Sequence, residues 1–442
     1  MTMKPMPSEP MPTNANTERS DFLKKEITLW NSFIKEDSIL KSKFKDMKES
    51  PYHFFRATAH LFYKDIDSGL VAIPTEWKET ARIKTWIQGD LHTQNLGFFE
   101  NADGQIKLDV NDFDESFIAP FYLDLIRFVI SIFLQREDVG FNFTIEEASE
   151  LAEYFLKEYQ ETLGEISEDG KELELVEKNL DGFPKDTLEE LKDKKSNATL
   201  LAKWTENKDG KFQFNFSNPD LRELTEVELQ EIKANWNTYL ESLGEFSIEK
   251  GFSFFQIEQV ARRLNSGMGS QGVYKYYVLV QGDSDPILLE VKEQRLPSLF
   301  LMKDLSEAEY YSHFSNHAER TKTACKAMLA NPDSFIGTLV TANRSYLVSR
   351  ISPFKKKLES KDFHSQADFK KYLKHSARAI SYAHSRSYKS ILIKSTSLSF
   401  ANTALAAIKV WSATRNTIVE LSKTYAKQVH EDYELCKSWL DK

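Results

Sequence analysis

The chain has 442 residues, 41% hydrophobic, 12% aromatic and 28% charged, enough apolar material for two or three packed units and too much for wholesale disorder. A net charge of −9 without a basic stripe argues against a nucleic-acid partner, whose phosphates are met by clustered Lys and Arg. The two cysteines, Cys325 and Cys436, make no disulfide framework or metal-ligand spacing, and no apolar run approaches the ~20 residues of a membrane helix, so a reducing, cytoplasmic setting with no membrane partner is expected.

In chain order, Met1 to Ser20 carries Pro5, Pro7, Pro10 and Pro12 among polar residues and lacks the apolar stretch of a secretory signal, so it reads as a disordered tail. From Asp21 to Lys48, Phe22, Leu29, Phe33 and Leu40 recur at helical spacing, and Ser50-Pro51 opens an aromatic helix running towards Tyr63. Lys84 to Gln88 and Gln105 to Val110 read as short strands around the loop Gly89 to Gly97. Phe121 to Leu134, with Asp124 and Arg127 its only charges, predicts a buried helix. Thr144 to Leu243 is charged and mostly helical, and residues 165–197 are dense enough in Lys, Glu and Asp to suggest a surface insertion.

The character changes near Gly251. Gln259 to Ile351 reads as three strands, a helix from about Asp304 to Ala330, and two more strands, with turns at Gly267–Gly272, Gly282–Pro286 and Ala342-Asn343-Arg344. After Pro353 the chain is helical again, and the run Lys355, Lys356, Lys357 reads as a solvated loop. The expected organisation is therefore a tail (1–20), a helical large lobe (21–250), a small β-rich lobe (251–352) and helices returning to the large lobe (353–442).

Two constellations carry chemistry. The first is Gly89-Asp90-Leu91-His92-Thr93-Gln94-Asn95, followed by Asn111-Asp112-Phe113-Asp114 behind a short apolar strand. Kinase-type phosphoryl transfer orients a hydroxyl with one carboxylate and holds magnesium with an Asn and a second carboxylate. Asp90 has the place of the catalytic residue, Asn95 and Asp112 that of the metal ligands, with Asp114 a further metal candidate. Asp124 is placed to brace the loop backbone, Arg127 to satisfy a buried carboxylate, and His92 to stabilise the loop. The competing reading is a structural turn in which Asp90 and Asn95 cap backbone groups.

The second constellation is Gly267-Met268-Gly269-Ser270-Gln271-Gly272, followed by Leu288-Leu289-Glu290-Val291-Lys292. Strand-like residues, Val273 to Val280, follow the glycines, where a dinucleotide-binding turn would require a helix. Glycines between two strands and a lysine on the third have the layout of a loop that covers ATP phosphates, which assigns Gly267, Gly269, Ser270, Gly272 and Lys292 to nucleotide binding. A glutamate on the following helix is expected to pair with Lys292; of Glu307, Glu309 and Glu319, Glu319 is the first choice. The catalytic loop precedes the small lobe here, the reverse of the usual kinase order. The helix Ala377–Ser385 resembles the one that ordinarily runs into the catalytic loop, so a circular permutation between the two restores that order.

Ser50-Pro51 through Arg56, Gly89-Asp90-x-His92-x-x-Asn95-x-Gly97, Asn111–Glu115, Pro120-x-x-x-Asp124-Leu125-x-Arg127, Gly267–Gly272, Val291-Lys292-Glu293 and Ala383-His384 together resemble the bacterial family called domain of unknown function 2252. The likeness runs from about residue 45 onward, with Ala57 in place of an expected glycine and Thr323 in place of an expected glutamate. The loop motifs are similar to those of aminoglycoside-phosphotransferase-like kinases. The expectation is thus an α+β, protein-kinase-like two-lobe fold in circularly permuted order, binding ATP and magnesium and transferring phosphate (or, in a close variant, AMP) to a small-molecule or protein hydroxyl. A nucleotide-binding or regulatory module without transfer activity is the alternative. A two-metal phosphohydrolase would need further His and Asn ligands, and nine histidines with no Gly-Asn-His or Gly-His-x-His do not supply them.

Overall fold

Helices open the chain where apolar and aromatic residues share a face: α1 (Thr13–Trp30), α2 (Asp37–Met47), α3 (Pro51–Ala57) and α4 (Ala59–Ser68). Ser50 caps α3, its hydroxyl oxygen accepting from the His53 amide, and Pro51 sits where no amide donor is needed. The computed structural model describes residues 13–78, 83–264, 267, 271–302, 307–391, 399–408, 410–437 and 439–440. Four short strands follow: β1 (Lys84–Ile87), β2 (Leu96–Glu100), β3 (Ile106–Val110) and β4 (Phe117–Pro120). β1 pairs with β4 and β2 with β3, all antiparallel. Every residue of α5 (Tyr122–Gln135) is buried, so this helix is the axis of a large core; α6 (Ile145–Asp169) packs against it and α7 (Gly182–Lys194) adds apolar residues to the same core.

The chain then leaves that core. α8 (Asn197–Trp204), the hairpin β5 (Thr205–Lys208) and β6 (Lys211–Phe214), β7 (Leu221–Arg222), α9 (Glu226–Ala234), α10 (Trp236–Leu243) and α11 (Glu245–Lys250) lead into β8 (Ile257–Arg263), β9 (Lys275–Val280) and β10 (Ile287–Glu293). After α12 (Glu307–His313) and α13 (His317–Met328) come β11 (Gly337–Val340) and β12 (Ser345–Arg350). The six strands form one sheet in the order β11-β12-β10-β9-β8-β7, every pair antiparallel. β9 is buried throughout because both sheet faces are covered. Tyr276, Val278 and Val280 pack with Trp236, Tyr239 and Leu240 of α10, whereas Tyr277 and Leu279 pack with Leu201 and Trp204 of α8.

The chain returns through β13 (Lys356–Lys357), which adds to the edge of β2, and then α14 (Gln366–Ile391), α15 (Phe400–Ala407) and α16 (Trp411–Lys437), whose apolar faces complete the large core. α14 lies along α6 and against β1, where Thr85 Oγ1 donates to the His384 carbonyl at 2.9 Å. The molecule is a mixed α+β structure with one large helical core and two smaller apolar clusters on the two faces of the sheet.

Several boundaries differ from expectation. Helix α1 takes in Thr13–Ser20, part of the expected tail, because Arg19 pairs with Asp65 and with Asp432 far along the chain; residues 1–12 lie outside those described. Packing on the sheet begins near Asn197 rather than Gly251, since α8 to α10 turn their few apolar residues to the sheet and their charges outward. Within the expected insertion, Leu188 and Leu191 of α7 are buried in the large core. The single helix expected between the third and fourth strands is broken at Phe314–Asn316, where Asn316 caps α13 by accepting from the Glu319 amide at 2.9 Å. Lys356 and Lys357 stand in β13 instead of a solvated loop.

Candidate functional site

The loop after β1 is held by its backbone. The Gln88 and Gly89 amides donate to the two oxygens of Asp124 at 2.7 and 3.0 Å, and the Tyr63 hydroxyl donates to the Gly89 carbonyl. His384 Nε2 meets the same Asp124 carboxylate at 3.3 Å, while its Nδ1 faces the Tyr159 hydroxyl at 2.9 Å. Asp124 therefore braces the loop, as its position in an apolar helix suggested. Gly89 has φ +84°, and a Cβ there would collide with the Glu115 carbonyl, so the loop can lie this close to the 112–115 turn only with glycine. His92 Nδ1 accepts from the Gln94 amide at 3.1 Å, a loop-stabilising role.

Asp90 projects from this loop onto Arg127, whose Nε donates to Asp90 Oδ1 at 2.8 Å and whose Nη2 makes a second bond to the same oxygen. Arg127 is fully buried, with its guanidinium 4.1 Å from the Phe55 ring centroid, while Asp90 stays 16% exposed. The arginine can orient the carboxylate but cannot reach a ligand. Burial raises the Asp90 carboxyl to about 7 against the opposing pull of Arg127, with Glu115 and Asp112 adding like charge.

Asn95 donates through Nδ2 to the Asp90 carbonyl at 2.9 Å, and its Oδ1 is buried with no donor. The Asn95 carbonyl accepts from the Asn111 amide at 2.9 Å, so the loop and the end of β3 are tied together. Gln88 adds a second tie: its Nε2 donates to the Asp112 carbonyl at 2.6 Å and its Oε1 accepts from the Asp90 amide at 2.8 Å. Gln88 was legible only as a strand end; a side chain that bonds two backbones leaves no mark in sequence spacing.

Asp112 adopts a left-handed conformation, φ 63° and ψ 66°, an uncommon backbone state for a residue with a side chain. Its Oδ1 lies 3.1 Å from Lys292 Nζ and its Oδ2 3.1 Å from Lys357 Nζ. Lys292 also pairs with Asp114, which accepts from Gln294 Nε2 at 3.2 Å. Burial alone would raise the Asp112 carboxyl, but the two ammoniums outweigh it and hold it well below the usual carboxylate range. The same carboxylates, with Glu290, raise Lys292 despite its burial. Lys357 reaches Asp112 because β13 lies close over β2 at Gly97, where a Cβ would stand 2.6 Å from the Lys356 carbonyl.

Asp112 and Asp114 of the first constellation and Lys292 of the second thus face one cleft of about 790 Å³, lined also by Lys357, Lys275 and Glu290, whereas Asp90 and Asn95 are not among its lining residues. On the other side of Asp112 and Asp114 lies a chamber of about 90 Å³ that Asp90 lines. Gly267 borders the larger cleft and Gly272 lies against Ile34; Gly269 and Ser270 lie outside the described residues. Glu319 does not meet Lys292. It stands in the first turn of α13 and pairs with Lys322 one turn on, at 2.9 Å, while Lys292 turns to Asp112 and Asp114. The side chains of Glu307 and Glu309 lie outside those described. Glu115 accepts from both the amide and the hydroxyl of Ser298.

Among the described residues no three His, Cys, Asp or Glu side chains converge as a metal-holding group, and no helix is long and apolar enough to cross a membrane. The donor set that could hold a hard cation is Asp112, Asp114 and the orphaned Oδ1 of Asn95, all oxygen. No curated protein matches the chain, and no solved structure does. A family model described as an uncharacterized protein conserved in bacteria, domain of unknown function 2252, matches residues 35–438, and the chain belongs to that family.

Proposed function

We propose that the protein is an ATP- and magnesium-dependent phosphotransferase with a kinase-like, circularly permuted arrangement. The observation that carries this reading is the meeting of Lys292 with Asp112, 180 residues apart, at 3.1 Å in a cleft of nucleotide size. Further support comes from the strand–helix–strand order around Lys292 and from α14, whose Ser387 hydroxyl lies 2.8 Å from Thr85 Oγ1 on the strand that feeds the Asp90 loop. A chain cut between that helix and that strand would give the permuted order.

In this reading Asp90 accepts the proton of an acceptor hydroxyl as the hydroxyl oxygen bonds the terminal phosphorus and the bond to the departing ADP oxygen breaks. A carboxyl raised to about 7 is matched to that task. Arg127 aims it, and Gln88 keeps its backbone in register with Asp112. Asn95 and Asp112, with Asp114 beside them, would hold magnesium, which supplies positive charge to the phosphate oxygens. Lys292 would turn from the two aspartates to the phosphates, and the backbone of Gly267–Gly272 would cover them. One observation favours nucleotide binding without transfer: both aspartates are satisfied by Lys292 and Lys357 in place of the expected lysine–glutamate pair.

Magnesium with ATP is expected to raise the melting temperature of the full chain, since a ligand bound only by the folded state stabilises it by mass action. Asp112→Ala removes the magnesium-dependent part of the shift and leaves the rest. No shift in wild type, or an identical magnesium response in the variant, would sink the assignment.

A further inference from the structure

The small chamber on the Asp90 side has a charge pattern that the transfer reading does not use. Lys43 of α2 lines it and is 2% exposed, yet among the described residues no carboxylate lies within ion-pair distance and no hydrogen bond reaches its ammonium. Its surroundings are the Phe33 ring, 6.0 Å from Nζ, the Arg295 guanidinium, and Glu115, whose carboxylate is taken up by Ser298. Burial lowers the ammonium to about 8, with Arg295 adding repulsion that Glu115 only partly offsets. Arg56 lines the same chamber with its Nε buried and unpartnered, and Arg295 stands at the mouth, 3.6 Å from the Phe33 ring centroid. None of the three cations has a carboxylate partner among the described residues.

An isolated buried ammonium is costly unless something neutralises it. Elsewhere in this site neutralisation comes from the protein, as Lys292 and Lys357 do with Asp112 and Asp114. Asp90, Asp112, Asp114, Glu115 and Glu293 line the chamber too, but each is held by another partner: Asp90 by Arg127, Asp112 by Lys292 and Lys357, Asp114 by Lys292, Glu115 by Ser298 and Glu293 by Arg344. For Lys43, Arg56 and Arg295 direct pairing is left to whatever fills the chamber. We infer that the chamber binds an anionic group, phosphate or carboxylate, and that the acceptor is a small molecule carrying this group near the hydroxyl that Asp90 activates. Lys43 supplies a point charge and the two guanidiniums planar donors, the usual complement to such oxygens. The amino-terminal helices thereby gain a purpose: Trp30, Phe33 and Lys43 wall the acceptor side, and Gln271 bonds Asp46 of α2.

The role given to the anion rests on the phosphotransferase reading; the anion site itself does not. The test is calorimetric titration of the full chain, without nucleotide, with inorganic phosphate and in a parallel arm with malonate. Saturable binding is expected, phosphate and malonate distinguishing a phosphate-bearing from a carboxylate-bearing acceptor. Lys43→Met, which keeps the buried length, weakens it by about tenfold or more, the loss of one charge-assisted hydrogen bond. Arg295→Gln, at an exposed position that folding tolerates, weakens it in the same direction. Should neither anion bind wild type saturably, or should both variants bind as tightly as wild type, the inference is overturned. Lys43-dependent anion binding in a protein whose melting temperature ignores ATP and magnesium would leave the anion site standing and remove the kinase reading.

Discussion

Asp90 and Asp112 are the same residue type, both packed between the same two loops, yet burial and charge drive them in opposite directions. Asp90 faces one arginine and two like charges, and burial wins, lifting its carboxyl to about 7. Asp112 faces two ammoniums, which win over burial and hold it ionised far into acid. Two carboxylates pushed apart in this way mark a division of labour: one can exchange a proton near neutrality, and the other is a permanent anion suited to metal or ion-pair work.

The comparison is tested most sharply at Asp90. Asp90→Asn preserves the acceptor for Arg127 but cannot take a proton, so the transfer rate, or slow ATP hydrolysis as its surrogate, is expected to fall ~10²–10⁴-fold while ATP affinity is retained. If Asp90 is the base of a phosphotransferase, its active form is the ionised one, so the wild-type rate is expected to rise with pH through about 7 and this limb to disappear in the variant. Stability has the opposite sign: a carboxyl raised in the folded state makes folding less favourable as pH climbs from about 4 to about 7, and Asp90→Asn removes that slope. A variant that hydrolyses ATP at the wild-type rate would make Asp90 a structural residue and favour the binding-module reading.

Lys292 comes next in size. On the phosphotransferase reading Lys292→Met removes a charge that would meet the phosphates in the ground state, so ATP binding is expected to weaken roughly tenfold to a hundredfold, read by calorimetry. It also removes one of the two cations on Asp112. If ATP binds the variant as tightly as wild type, Lys292 belongs only to the ion-pair network and the glycine turn has no phosphate to cover.

Both halves of this site were legible where chemistry dictates local spacing. The apolar strand before Asp112 and the lysine on a strand after a glycine turn are short patterns that the structure brings to one cleft, while Asp90 of the preceding loop lines the smaller chamber beside it. Asp124 and Arg127 were readable because charges in an otherwise apolar helix must find partners. What spacing could not show is which charge meets which across the fold. Glu319 sits on the expected helix but one turn from Lys322, Lys357 reaches Asp112 only because Gly97 admits β13, and Lys43 becomes a buried cation without an ion-pair partner among the described residues only once α2 is folded against α3. The length of α1 was hidden for the same reason, its anchor Arg19 being paired with Asp432 at the other end of the chain.

Lys357 should have the smallest effect, and its size separates two accounts of Asp112. The two lysines stand equally far from the carboxylate, 3.1 Å each, but Lys292 is 12% exposed and Lys357 36%. Water screens the second pair, and an exposed ion pair is worth only ~0–1 kcal/mol, so Lys357→Met is expected to lower stability at pH 7 by no more than that. The depressed Asp112 carboxyl contributes stability that is present above about pH 4 and lost as pH falls through its lower folded value. The difference between Lys357→Met and wild type therefore shrinks in strong acid, where Asp112 is protonated in both. Magnesium sharpens the point: if the cation takes the Asp112 oxygen that Lys357 now holds, the variant has one competitor fewer and requires less magnesium for the same ATP-dependent rise in melting temperature. An increased magnesium requirement would instead show Lys357 acting with the phosphates, a second cation on the nucleotide side of the cleft rather than a placeholder for the metal.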